Sequence, residues 1–245
     1  MVRASAIIAA KHRARYRAEQ HHVINKIVAS VDEAVADISD GAVIMVGGFG
    51  DIGVPMQLID ALVRRAPKNL TIVANNAGTG DRGLALLFKH GLVRKLYASF
   101  PAQRGADHFR AAFEAGQVEL ELVPQGTLAE RIRAAGAGLG GFYTPTGVGT
   151  VIAEGKETRE IDGRTYVFEK AIRADVALVK AHLADRFGNL RYRLASRNFN
   201  PIMAMAARLT IAQVERIVPL GSIDPDDVHT PGVFVDRVVA VGGGS

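Results

Sequence analysis

Five consecutive apolar residues, Ala42 to Val46, follow an Asp40-Gly41 turn. An unbroken run of that length predicts a strand covered on both faces, as in a parallel sheet. Ahead of it, Ile27, Val28, Val31, Ala34, Val35 and Ile38 recur at helical spacing with Ser30 and Asp32 on the other side, which predicts an amphipathic helix over 26–38. Behind it, Pro55 suits a helix start, and Leu58, Ile59, Leu62 and Val63 carry the same period. The alternation repeats with a strand at 70–74, a helix near 83–90, a strand at 95–100, a helix at 107–115 and a strand at 118–123. In that last strand Val118, Leu120 and Leu122 alternate with Glu119 and Glu121, so one face is wet. Strand and helix in turn predict an α/β fold: an open, mostly parallel, doubly wound sheet.

The pattern loosens after residue 123. Residues 131–141 are rich in glycine and alanine, and 155–164 read as a polar loop or hairpin. A strand returns at 176–181 and a turn at 185–189. Asn200-Pro201 offers an N-cap and first turn for a helix over 202–208, and strands are expected at 214–218 and 234–241. Neither repeat nor linker interrupts this order. The expectation is one domain over 23–245 with a smaller excursion around 130–175.

Charge changes the picture only at the start of the chain. Of the formal +5, four units fall in residues 1–22, through Arg3, Lys11, Arg13, Arg15 and Arg17 against Glu19, and the body is nearly neutral. No basic stripe interleaved with aromatics tracks a phosphate backbone, so a nucleic-acid partner is not expected. The apolar stretch 4–10 precedes most of the basic residues, the reverse of a secretory signal, and 1–22 reads as an extension to the folded chain. No apolar run approaches the roughly 20 residues needed to span a bilayer. With no cysteine, a disulfide framework, a thiolate zinc site and a cysteine nucleophile are excluded. Histidine spacing gives no metal-ligand set, so no metal is expected, and the reading is a soluble, cytoplasmic protein.

The candidate chemistry lies in the glycines after the first strand. Gly48-Phe49-Gly50-Asp51-Ile52-Gly53 matches the dinucleotide fingerprint between strand and helix. The acid that would hold a ribose at the end of the second strand is missing, since that stretch reads Ala74-Asn75-Asn76. A nicotinamide cofactor is therefore not expected. Glycines admit close backbone approach, and the start of the following helix favours an anion or a developing oxyanion; the bland alternative is a tight turn.

With its flanks, the stretch from Asp40-Gly41 through Gly47-Gly48-Phe49 to Gly53-Val54-Pro55 resembles the signature of family I CoA-transferases. Asn75-Asn76-Ala77-Gly78, Pro124-Gln125-Gly126-Thr127-Leu128-Ala129-Glu130-Arg131 and Phe142-Tyr143-Thr144-Pro145-Thr146-Gly147 agree, and the likeness runs over about 23–241. The segments 154–163 and 197–205, with Ser99-Phe100-Pro101, look most like the 3-oxoadipate branch. Asn200 departs from that branch's glycine and Val148 from its usual aromatic.

The resemblance implies transfer of CoA from succinyl-CoA to a 3-oxoacid, 3-oxoadipate first and acetoacetate as the alternative, by a ping-pong route through a glutamyl-CoA thioester. The CoA thioester is a substrate, and no tightly bound cofactor is implied. The nucleophilic glutamate of the family lies in a Glu-Asn-Gly motif that this chain lacks. The implied partner is a second subunit carrying that motif, in an A2B2 heterotetramer. The resemblance makes Gln125 the oxyanion donor and Gly47, Gly48, Phe49, Asn75 and Asn76 the substrate-binding residues. Read alone, Pro124-Gln125-Gly126 is a solvated turn and paired asparagines cap turns. Arg104 and Arg131 are candidates for a second substrate carboxylate. A sugar-phosphate isomerase and a ligand-sensing domain are the readings from other classes.

Overall fold

A computed structural model describes residues 24–242; the extension expected over 1–22 lies outside them. The main sheet is built from β1 (Val43–Val46), β2 (Leu70–Val73), β3 (Val93–Ala98) and β4 (Glu119–Leu122). Its other half is β8 (Ala174–Ala184), β9 (Leu190–Arg191), β10 (Ala207–Ile217) and β11 (Arg237–Ala240). The order is β11-β10-β8-β1-β2-β3-β4, parallel at every neighbouring pair, with β9 antiparallel beside the end of β8. From β1 the chain winds outward one way through β2, β3 and β4, and later the other way through β8, β10 and β11.

Both faces are covered, which is why the strands read as nearly continuous apolar runs. On one face α1 (Val31–Val35), α2 (Met56–Arg65), α3 (Leu84–Lys89) and α4 (Asp107–Glu114) pack Leu58, Leu87 and Phe109 against Ile44, Ile72 and Leu96. On the other, α5 (Gln125–Gly136) and α6 (Asn200–Ala206) pack Leu128, Ile132 and Met203 against Met45, Val73, Ala177 and Val214. The excursion near 130–175 contains a three-stranded antiparallel sheet, ordered β5 (Gly141–Thr144), β7 (Arg164–Lys170), β6 (Thr158–Ile161). Its β6–β7 hairpin turns at Asp162 and Gly163, both at positive φ, as an Asp-Gly pair favours.

Several boundaries differ from the periodicity. The first helix shrinks to Val31–Val35, because residues 26–28 pair with β11: Val238 N–H donates to the Lys26 carbonyl at 2.7 Å and Val28 N–H to the Val238 carbonyl at 2.9 Å. An edge strand's unpaired groups are thereby satisfied. The alanine- and methionine-rich run stops being helical at Ala206, and β10 begins at once, pairing with β8 along its whole length. Residues 125–136, read alone as a solvated turn at 124–126 and a glycine- and alanine-rich stretch from 131, form α5.

Register places the site. Met45 pairs with Val73, Val73 with Tyr97 and Tyr97 with Glu121, so β1 to β4 end together and their loops share the carboxyl edge of the sheet. β8 and β10 run past that edge. The last partner of β1 is Leu178, opposite Val46, whereas β8 continues to Ala184 beside Ile217.

Candidate functional site

The carboxyl edge beside the β1/β8 junction, where chain order reverses, is where an open α/β sheet collects ligands. The Gly47–Pro55 loop leaves β1 there. Phe49 and Ile52 exchange backbone hydrogen bonds of 2.9 and 3.1 Å, a narrow hairpin that holds the Phe49 ring out, 47% exposed. Gly48 has φ +126, and a Cβ there would lie 2.4 Å from Val54 Cγ2. At Gly47 a Cβ would lie 1.9 Å from Asn200 Oδ1. Only glycine fits either position.

Asn75 follows β2 and is 5% exposed. Its Oδ1 accepts from Gln125 Nε2 at 2.7 Å and from Ser99 Oγ at 2.8 Å, and its backbone carbonyl accepts from the Ser99 and Phe100 N–H groups. Three strand ends, those of β2, β3 and β4, are joined through one amide. With Oδ1 doubly engaged, Asn75 presents Nδ2 outward: that group makes no hydrogen bond among the described residues, where no buried side-chain nitrogen or oxygen is left without a partner. Asn76, 3% exposed, uses both ends of its amide on the protein. Oδ1 accepts from Gly78 N–H at 2.8 Å and Nδ2 donates to the Gly50 carbonyl at 3.4 Å, tying the two loops together.

Gln125 is the first residue of α5, and its side chain is exposed apart from the Asn75 bond. One Nε2 hydrogen is held by Asn75, and the second makes no hydrogen bond among the described residues. Pro124 offers no side-chain cap, and the first intrahelical bond is Leu128 N–H to the Pro124 carbonyl at 2.8 Å, so the opening N–H groups of the helix face the same edge. The sequence expectation put the positive helix end at α2, whose opening N–H groups are partly taken up by the protein. In α2, Gln213 Oε1, reaching from β10, accepts from Leu58 N–H at 3.1 Å, and Met56 and Ile59 N–H bond to Val54 and Pro55. The helix start at Gln125 carries no side-chain cap.

Of the two arginines considered for a second carboxylate, Arg131 is committed elsewhere. It is 7% exposed, donates to Glu121 at 2.8 Å and to the Lys170 carbonyl at 2.7 Å, and lies 3.6 Å from Glu169. Glu169, 1% exposed, is also bonded by Lys156 at 2.6 Å. Burial pushes the Glu121 carboxyl up, but bonds from Arg131 and Lys95 outweigh it and hold it below the usual range. Arg104 is exposed on the loop after β3, which packs on 78–80 through a bond from Gly80 N–H to the Gly105 carbonyl.

Two residues that sequence reasoning did not place at the site are Ser99, read only as a family marker, and Asn200, read as a helix cap. The cap position belongs to Phe199, and Asn200 points its amide at the loop after β1. An apolar rim surrounds the edge: besides Phe49, Ile52 is 54%, Phe100 60% and Leu194 86% exposed. Ile52 and Leu194 line one cleft of about 390 Å³ with Lys180, Arg193, Ser196 and Glu215. Among the described residues no helix is long and apolar enough to cross a membrane.

Comparison with known proteins gives four matches. A family model described as coenzyme A transferase matches residues 28–241. The chain is 58% identical over 221 residues to the A subunit of 3-oxoadipate CoA-transferase from Pseudomonas putida, covering 90% of this chain and 96% of that protein. It is 52% identical over 216 residues to the A subunit of the probable succinyl-CoA:3-ketoacid coenzyme A transferase from Bacillus subtilis, covering 88% and 90% respectively. Its fold matches the crystal structure of an acyl-CoA transferase from E. coli O157:H7 in a thioester complex with CoA, at TM-score 0.79 and 26% identity. That match covers 89% of this chain and 47% of the other, so the chain spans about half of that protein's length.

Proposed function

We infer the function from the premise that the chain belongs to the coenzyme A transferase family. Within it, the chain is the subunit without the nucleophile in an enzyme that moves CoA from succinyl-CoA to 3-oxoadipate. The observation that carries the reading is the Gln125–Asn75–Ser99 cluster beside the Gly47–Phe49 loop: outward amide donors, an open helix start, and no carboxylate among those residues. Such a site stabilises negative charge and has nothing with which to attack. That the chain lacks Glu-Asn-Gly, and that the relatives above are named as A subunits, supports a partner subunit that brings the glutamate. Two copies of each subunit would complete the enzyme.

The chemistry follows from the donors. The partner's glutamate adds to the thioester carbonyl, and the oxygen that becomes an oxyanion meets the free Nε2–H of Gln125, with Asn75 Nδ2 as second donor. Collapse expels CoA thiolate, which captures the glutamyl carbonyl and releases succinate as a carboxylate. The acceptor acid then runs the sequence backwards. Neutral amides fixed before charge develops need no reorganisation, so their benefit is realised in the transition state. Gly47, Gly48 and Phe49 wall the acyl group, and Asn76 holds that wall to the second strand's loop. The CoA thioester is bound as substrate, with no resident cofactor.

The test is turnover of succinyl-CoA with 3-oxoadipate, by this chain alone and co-expressed with a Glu-Asn-Gly subunit. Activity is expected only from the pair; activity of the chain alone would place the nucleophile here and overturn the division of labour. The Bacillus relative is named for a 3-ketoacid, so acetoacetate is the second acceptor to test, and kcat/KM for the two acids ranks them.

A further inference from the structure

We propose that Asn200 is a positioning residue, which fixes the Gly47–Gly53 loop by standing in for the piece of strand that β1 lacks. In a parallel ladder each residue's N–H and C=O go to two residues of the neighbour that flank its partner. Gly47 N–H still donates to the Leu178 carbonyl at 2.9 Å. The next rung would run from Lys180 N–H to the Gly47 carbonyl. Instead Lys180 N–H donates to Asn200 Oδ1 at 3.0 Å, and the Gly47 carbonyl accepts no hydrogen bond among the described residues.

The rest of the side chain is equally committed. Nδ2 donates to the Gly53 carbonyl at 3.0 Å and to the Ser196 carbonyl at 2.8 Å, and Asn200 is 0% exposed. One amide thus grips β8, the far end of the glycine loop and the 194–197 turn, while its Oδ1 presses on Gly47 where any Cβ would collide. It satisfies the amide that a continuing strand would have taken and leaves the loop backbone free to turn towards a ligand. The loop's own residues cannot do this: Gly48, Gly50 and Gly53 all sit at positive φ, conformations that glycine adopts without preferring.

The test is hydrogen exchange and steady-state kinetics on the full chain, co-expressed with its partner, carrying Asn200→Ala or the isosteric Asn200→Asp. In the alanine variant the Lys180, Gly47, Phe49 and Ile52 amides should exchange at least about tenfold faster, the loss expected of a broken hydrogen bond or two. In the aspartate variant the Lys180 amide stays protected, because an acceptor remains, while the loop amides speed up, because a carboxylate faces the Gly53 and Ser196 carbonyls. The kinetic half rests on reading Gly47–Phe49 as the acyl wall. On that reading kcat falls about a hundredfold, the cost of an ångström of misplacement, with KM little changed. Faster exchange with unchanged kcat leaves Asn200 as the loop's anchor and removes the wall reading. Unchanged exchange in Asn200→Ala, or in Asn200→Asp if the alanine variant does not fold, overturns the inference.

Discussion

Gln125 shows what a single residue gains from its place in the fold. On a mobile turn its amide would lose rotamer freedom on meeting an oxyanion; held by Asn75 at 2.7 Å, it has already lost it. Gln125→Ala should therefore lower kcat by roughly a hundredfold to a thousandfold, the range for removing one such donor, with KM and assembly nearly unchanged. Steady-state kinetics, with the mass of the assembled enzyme measured alongside, checks this, and a kcat within a factor of about three would remove Gln125 from the chemistry. The residue type and its Pro-Gln-Gly setting were visible in the sequence; its partner, fifty positions away, was not. Arg131 teaches the converse. A cation suited to a substrate carboxylate is neutralised by Glu121 and Glu169, and nothing local to Arg131 announces that Glu169 is buried against it.

At the scale of elements, α5 is the piece that carries Gln125, and that ionic network ties it to its neighbours. Arg131 joins α5 to β4 through Glu121 and to β7 through Glu169 and the Lys170 carbonyl. Arg131→Met should destabilise the chain by about 3–5 kcal/mol, the usual cost of breaking a buried pair, read as a shift in the urea midpoint. The network also sets a pH dependence. Because the Glu121 pKa is lowered on folding, its contribution is present above the ordinary carboxylate value and is lost as pH falls through the folded one. Stability should fall on acidification below about pH 4, and Glu121→Gln should flatten that limb of the curve. Strands with continuous apolar runs were legible because burial on both faces leaves a mark at each residue. The start of α5 was not, since Pro124 carries no capping side chain and Gly126 follows at once. The helix read through Arg208 ended early because pairing with β8 outweighs the helical preference of an alanine-rich run.

At the scale of the molecule, the carboxyl edge carries both the Gln125–Asn75–Ser99 cluster and the apolar rim of Phe49, Ile52, Phe100 and Leu194. An apolar rim around a site that lacks its nucleophile is the surface on which the proposed partner would close. Leu194→Asp should reduce co-purification of that partner, whereas Leu139→Asp, also exposed but beyond the other end of α5, should not. Size-exclusion chromatography of the co-expressed pair reads the difference; equal loss or equal retention would mean that the partner binds elsewhere.

The winding order has a consequence for how the site comes into being. β1 takes one neighbour, β2, from the next turn of chain, with Ile44 opposite Ile72, and the other from β8, with Ile44 opposite Val176. The first pairing closes a short loop; the second closes one several times longer and so forms late. Leu58 of α2 waits for Gln213, and Gly53 for Asn200, each separated by about 150 residues that must first collapse correctly. As the chain leaves the ribosome, the β1–β4 half can assemble with its glycine loop still unbraced. The carboxyl edge is braced only when the last third arrives, so a truncated or stalled product would hold much of the sheet with its glycine loop unsupported.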